Sequence, residues 1–97
     1  MKILALEKEL PGTDPQRFRQ YAKGEARQVW KLQQSGLVRE AYFRADRDAA
    51  VLVLECPSPE EALEILATLP FVKAGLIAFE LIPLRAYPGF ARLWERS

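Results

Sequence analysis

The chain has no histidine and a single cysteine among its 97 residues, and it has no asparagine. The missing histidine removes the commonest acid/base side chain near neutral pH and the commonest transition-metal ligand. It also leaves Cys56 without the partner of a Cys-His nucleophile. A lone cysteine closes no internal disulfide, which fits a reducing cytoplasm. No apolar run is long enough to span a membrane, and Glu7 and Lys8 end the first such run early. Met1-Lys2 leads straight into a strand-like stretch without a small-residue cleavage site, so no signal peptide is read and the expected location is the cytoplasm. A net charge of +1 gives no global attraction to nucleic acid or to an acidic surface. There is no glycine-rich phosphate loop and no metal-ligand spacing, so neither metal nor cofactor is expected. The hydroxyls of Thr13, Ser35, Ser58, Thr68 and Ser97 all fall at turns, helix ends or the terminus, which gives hydroxyl nucleophiles no support. Few labile residues beside abundant Arg and Glu is a thermophile pattern, with chance in so short a chain as the alternative.

What the chain does have is three strand-like stretches that are apolar at both parities: Ile3 to Leu6, Ala50 to Leu54, and Leu76 to Phe79 continuing through Leu81-Ile82. An antiparallel sheet with one wet face alternates apolar and polar residues. Here both faces need a cover, and two sizeable helices supply only one. A second copy of the same sheet is the simplest other cover, so a homodimer or higher homo-oligomer is expected. The short length, which leaves much surface exposed in a monomer, points the same way.

The elements follow in order. Strand 1 spans Lys2 to Glu9. Asp14 caps a first helix with Pro15 at its first position, and the helix runs to Ser35, with Gly36 as C-terminal cap. Strand 2 covers Leu37 to Ala45. Asp46-Arg47-Asp48 turns into strand 3, Ala49 to Cys56. Ser58 and Glu61 form a capping box for a second helix ending near Leu69-Pro70. Phe71 to Gly75 reads as a loop, and strand 4 runs from Leu76 to Tyr87. The tail carries Phe90, Leu93 and Trp94 at helix-like spacing, an apolar patch expected to pack across a subunit boundary. The order β-α-β-β-α-β over residues 1–97 is a single α+β, ferredoxin-like domain with an antiparallel sheet. Right-handed crossovers put strands 1 and 3 at the centre. The polar strand 2 and the Pro83-bearing strand 4 suit the edges.

Helix 1 contains one contradiction. At about 100° per residue, Phe18, Ala22, Val29 and Leu32 form an apolar stripe flanked by Tyr21 and Ala26, and Glu25 lies within it. Arg17, Gln20, Lys23, Arg27 and Lys31 take the outer side. A carboxylate on a core face must be paired, hydrogen-bonded or protonated. Desolvation would raise its pKa and suit it to proton transfer near neutrality. A structural ion pair is the alternative. Glu80 repeats the anomaly in strand 4, either as a second acid beside Glu25 or as a partner of Arg39 or Arg44. By strand parity Arg39, Ala41 and Phe43 share one face of strand 2, and Glu40, Tyr42 and Arg44 the other. Arg39 or Arg44 would hold a substrate carboxylate. RNA-recognition modules of this strand order stack bases on central-strand aromatics. Ile3 to Lys8 and Ala50 to Glu55 have none, so nucleic acid is not an expected partner.

Several stretches resemble the muconolactone isomerase family of the dimeric α/β-barrel superfamily. They are Leu32-Gln33-Gln34-Ser35-Gly36-Leu37-Val38-Arg39, Cys56-Pro57-Ser58-Pro59-Glu60-Glu61-Ala62-Leu63, Leu69-Pro70, Phe79-Glu80-Leu81 and Arg85-Ala86-Tyr87-Pro88. The resemblance implies a dimeric α/β barrel. It also implies an isomerase that shifts a double bond in a small lactone acid by moving a proton, without metal or cofactor. It implies acidic site residues at Glu25 and Glu80. The family's histidines on the second strand and near the closing proline are replaced here by Glu40 or Tyr42 and by Tyr87. The resulting expectation is a cofactor-free small-molecule protein with a pocket between helix 1, helix 2 and the sheet. Glu25 would move the proton, Arg39 or Arg44 would anchor an anionic ligand, and Tyr21, Tyr42, Trp30 and Phe71 would form walls. The alternative is a non-catalytic ligand-binding or assembly module whose acids are structural.

Overall fold

The computed structural model describes residues 1–96, so the terminal Ser97 lies outside it. Strands β1 (Lys2–Glu9), β2 (Val38–Phe43), β3 (Ala50–Glu55) and β4 (Ile77–Leu84) form one antiparallel sheet in the order β2-β3-β1-β4. The two apolar strands β1 and β3 are central and the polar β2 is an edge, as the sequence requires. Pro83 lies on the other edge strand, β4, opposite Ile3 of β1, where its missing N–H need break no ladder.

Helix α1 (Pro15–Gln34) starts where Asp14 accepts from the Gln16 N–H at 2.9 Å, with Pro15 at its first position. It ends in a Schellman motif. Gly36, at φ +84°, lets its own N–H reach the Gln33 carbonyl and the Leu37 N–H reach the Leu32 carbonyl, both at 3.1 Å. Helix α2 (Pro59–Leu66) begins under the Ser58 hydroxyl, which accepts from the Glu61 N–H at 3.2 Å.

The stretch read as a loop is in fact a third helix, α3 (Pro70–Lys73). Pro70 starts it and Gly75, at φ +73°, ends it in a second Schellman motif, with Leu76 N–H on the Phe71 carbonyl at 2.9 Å. Pro70 and Gly75 flank a segment just long enough for one turn, too short to show a helical period.

One sheet face is covered by the helices. Ile3 and Ala5 of β1, Leu52 and Leu54 of β3, and Val38 of β2 meet Leu32, Ala62, Leu66 and Leu69 in a buried core. Ile3, Leu54 and Leu69 have no exposed surface. Truncating a residue such as Leu54 to Ala in a core of this kind costs about 2–5 kcal/mol.

The other face is unlike this. Leu4, Leu6, Val51, Val53 and Ala78 are only half-buried there, and Tyr42 and Ile82 are exposed. Beyond β4, residues Pro88–Trp94 form 3₁₀ turns, with Tyr87 edge-on to Phe90 at 4.9 Å. Phe90, Leu93 and Trp94 are 63%, 73% and 79% exposed, so the tail does not close its own protomer's core.

Candidate functional site

The core stops short of one end of the molecule. There α1 stands off from β1, β3 and β2, and a cleft of about 540 Å³ opens between them. Ala22, Ala26 and Val29 of α1 line one wall and Ala41, Phe43, Ala50 and Leu52 the other, with Phe71 of α3 also in the lining. Trp30 and Phe43, each more than half exposed, belong to its rim. An adjoining space of about 400 Å³ shares Glu7, Ala22, Phe43 and Phe71 and adds Phe18, Arg19, Glu9 and Asp48. The Phe18 ring meets Phe71 edge-on at 5.1 Å and fixes it in place. Helix α3, not α2, joins α1 and the sheet here, which corrects the expected position of the pocket.

Glu25 lies in this cleft, half-buried on the sheet-facing side of α1. Its Oε1 accepts from the Phe71 N–H at 2.9 Å, within the first turn of α3. Burial raises its pKa above the ordinary carboxylate value. The Phe71 N–H opposes that shift, and the nearby charge of Glu7 adds to it.

Glu7 is the residue that sequence reasoning missed. It ends the apolar part of β1, where it reads as the start of a solvated strand end. It follows Ile3 and Ala5 at the same parity, however, and so points to the helix side of the sheet. Its Oε1 accepts from the Ala50 N–H at 3.2 Å, and it lines the cleft with Glu25. Burial raises its pKa too, with Glu9 adding to the shift and the Ala50 N–H opposing it.

Several expected site residues lie elsewhere. Glu80 pairs with Leu6 across the sheet and points to the opposite face from Glu25. Its partner is Lys8, at 3.1 Å, and neither Arg39 nor Arg44. Apolar neighbours along a strand did not bury it, because the face it occupies has no cover within the protomer.

Arg39 sits at a register shift between Val38 and Glu40, which breaks the parity assumed for strand 2. Val38, Ala41 and Phe43 therefore face the helices, while Arg39 donates to the Gly36 carbonyl at 2.7 Å. Arg44 grips Asp46 with two hydrogen bonds of 2.8 and 2.7 Å in the turn. Neither arginine lines the cleft, and among the described residues the only Lys or Arg lining either space is Arg19.

Of the expected walls, Trp30 and Phe71 line the cleft and Tyr21 does not. Tyr42 borders it but pairs with Val51 on the outer face, and its hydroxyl donates to Glu40 at 2.6 Å. Among the described residues, no group of three or more His, Cys, Asp or Glu side chains comes together as a metal site, and no helix is long and apolar enough to cross a membrane.

No protein-family model matches the sequence, and no curated protein sequence matches it either. Solved structures do. The chain is similar to muconolactone isomerase, with a TM-score of 0.74 and 26% identity over 91% of this chain and 92% of that one. It is also similar to the 5-chloro-2-hydroxyhydroquinone dehydrochlorinase of Burkholderia phenoliruptrix AC1100, solved in complex with 2,5-dihydroxybenzoquinone. That match has a TM-score of 0.68 and 20% identity over 92% of this chain and 98% of that one. Both superpositions span nearly the whole chain. The chain therefore has a muconolactone isomerase-like fold: α+β and ferredoxin-type, with an open four-stranded antiparallel sheet.

Proposed function

We propose that the protein is a cofactor-free isomerase, or an enzyme of related chemistry, that moves a proton on a small substrate held in the cleft, with Glu25 as the proton-transfer group. The observation that carries this reading is a carboxylate half-buried in an apolar cleft, with one oxygen bound to a backbone N–H. Such a group holds its proton closer to neutral pH than a solvated glutamate does, as a general acid/base requires. The likeness to two solved small-molecule enzymes supports the reading. The substrate is a small carbon acid, and an anionic substituent on it would point toward Arg19. A second copy of the chain covers the outer face of the sheet.

One observation favours a second reading, a non-catalytic module. The same Glu25 oxygen that could serve chemistry also ties α1 to the start of α3. The variant Glu25→Gln separates the two roles, because its amide oxygen can still accept from Phe71 while it cannot act as a base. Purified protein in D₂O with a set of small unsaturated lactone acids and keto acids should incorporate deuterium next to the carbonyl, followed by proton NMR. E25Q should be folded and slower by about 10²–10⁴-fold. Absence of exchange above the buffer rate with every compound, or an unchanged rate in E25Q, would leave the binding module as the correct reading.

A further inference from the structure

Two glutamates reach the cleft from different elements, Glu25 from α1 and Glu7 from β1. Each commits Oε1 to one backbone N–H, and among the described residues neither Oε2 has a protein partner. Among the described residues no side-chain oxygen is buried without a partner, so these two oxygens are open to the cleft or to solvent. The main cleft contains no Lys or Arg, and the other charged groups close by are Glu9 of β1, Arg19 of α1 and Asp48 in the β2–β3 turn, all in the adjoining space. Both carboxylates line one apolar cavity, and the charge of Glu7 is among the causes that raise Glu25. The first to lose its proton makes the second hold on.

We propose that Glu7 is the second proton-transfer group of this site, coupled to Glu25 so that one carboxyl is ionised while the other carries a proton. This rests on the reading of the cleft as a proton-transfer site. With a carbonyl compound whose C=C bond is one carbon removed from the carbonyl (β,γ-unsaturated), ionised Glu25 takes a proton from the carbon between the two groups. The C–H electron pair moves into a dienolate. Protonated Glu7 then delivers its proton to the far carbon of the conjugated system, and an electron pair returns to form the new C–H bond. One C–H bond breaks and one forms, no electrons leave, and the product is an isomer. Glu25 ends protonated and Glu7 ionised, and a proton passing back between them or through water restores the starting state.

Carbon-13 NMR of labelled glutamate side chains in the wild type, Glu7→Gln and Glu25→Gln tests the pairing without any substrate. In both variants the amide oxygen preserves the hydrogen bond to Ala50 or Phe71. The expected result is that E7Q lowers the titration midpoint of Glu25 and E25Q lowers that of Glu7 by the same amount, since coupling is reciprocal. Unchanged midpoints in both would overturn the pairing. With a substrate exchanged by the wild type, E7Q should lose isomer formation by about 10²–10⁴-fold, far more than it loses exchange at the first carbon. Equal losses of both, or isomerisation at the wild-type rate, would overturn the role of Glu7. If the wild type exchanges nothing, the reading of the site falls, and the titration still decides the pairing.

Discussion

Glu25 is legible in the sequence because a helix with an apolar stripe leaves one position where a charge does not belong. Glu7 is legible only by parity: counting from Ile3 through Ala5 puts it on the covered face, but its place at the end of an apolar run reads as a solvated strand end. Arg39 and Arg44 lie outside the cleft for a related reason. An arginine on an edge strand has nearby acceptors, a carbonyl for one and Asp46 for the other, and satisfies itself locally before it can reach a cleft. The two cleft glutamates also bear on stability. Each holds its proton more tightly folded than unfolded, where the ordinary value is 4.5. Between that value and the raised one the folded chain binds more protons, so stability falls as pH rises through the window. Glu7→Gln removes one of these groups and lowers the pKa of the other. Thermal melts from about pH 4 to about pH 8 should therefore show a smaller loss of Tm for E7Q than for wild type. A parallel pair of curves would show that folding does not perturb Glu7 and that Glu7 does not act on Glu25.

Elements are more legible in the sequence than single residues. Strand 1 has the bounds expected, and the strand order follows from the crossover rule and the polarity of β2. The misses are short features whose cause is not periodic: the one-turn helix α3 and the irregularity at Arg39. Both matter to the site, since α3 carries Phe71 and the register shift turns Ala41 and Phe43 toward the cleft. Two substitutions test this level. Ser58→Ala removes the hydroxyl that caps α2 and should cost about 0.5–2 kcal/mol in chemical denaturation. Gly24→Ala should stabilise by about 0.5–1 kcal/mol. Gly24 is inside α1 without a positive φ, and an added Cβ would meet only Pro70 Cγ, at an ordinary 3.6 Å. A destabilised G24A would mean that α1 and α3 pack more closely beside Glu25 than this.

The whole molecule has surface that a monomer does not explain. Its radius of gyration is 16.2 Å, against about 12.5 Å for a compact chain of this length, and its longest dimension is 61 Å. The exposed tail aromatics and the bare apolar sheet face fit a chain built to associate. The second apolar parity of the central strands already carried this in the sequence. We expect a dimer at micromolar concentration in sedimentation, burying on the order of 2,000 Å² in total. Deleting residues 88–97 should lower the association state or the Tm, and a variant unchanged in both would remove the tail from the interface. The chemistry of the cleft is read out by the pH dependence of deuterium incorporation by the wild type into a carbon acid that it exchanges. The rate should fall at low pH with a midpoint above the ordinary glutamate value, coincident with the NMR titration of Glu25. A midpoint at the ordinary value, or one that persists unchanged in E25Q, would contradict this reading of the cleft.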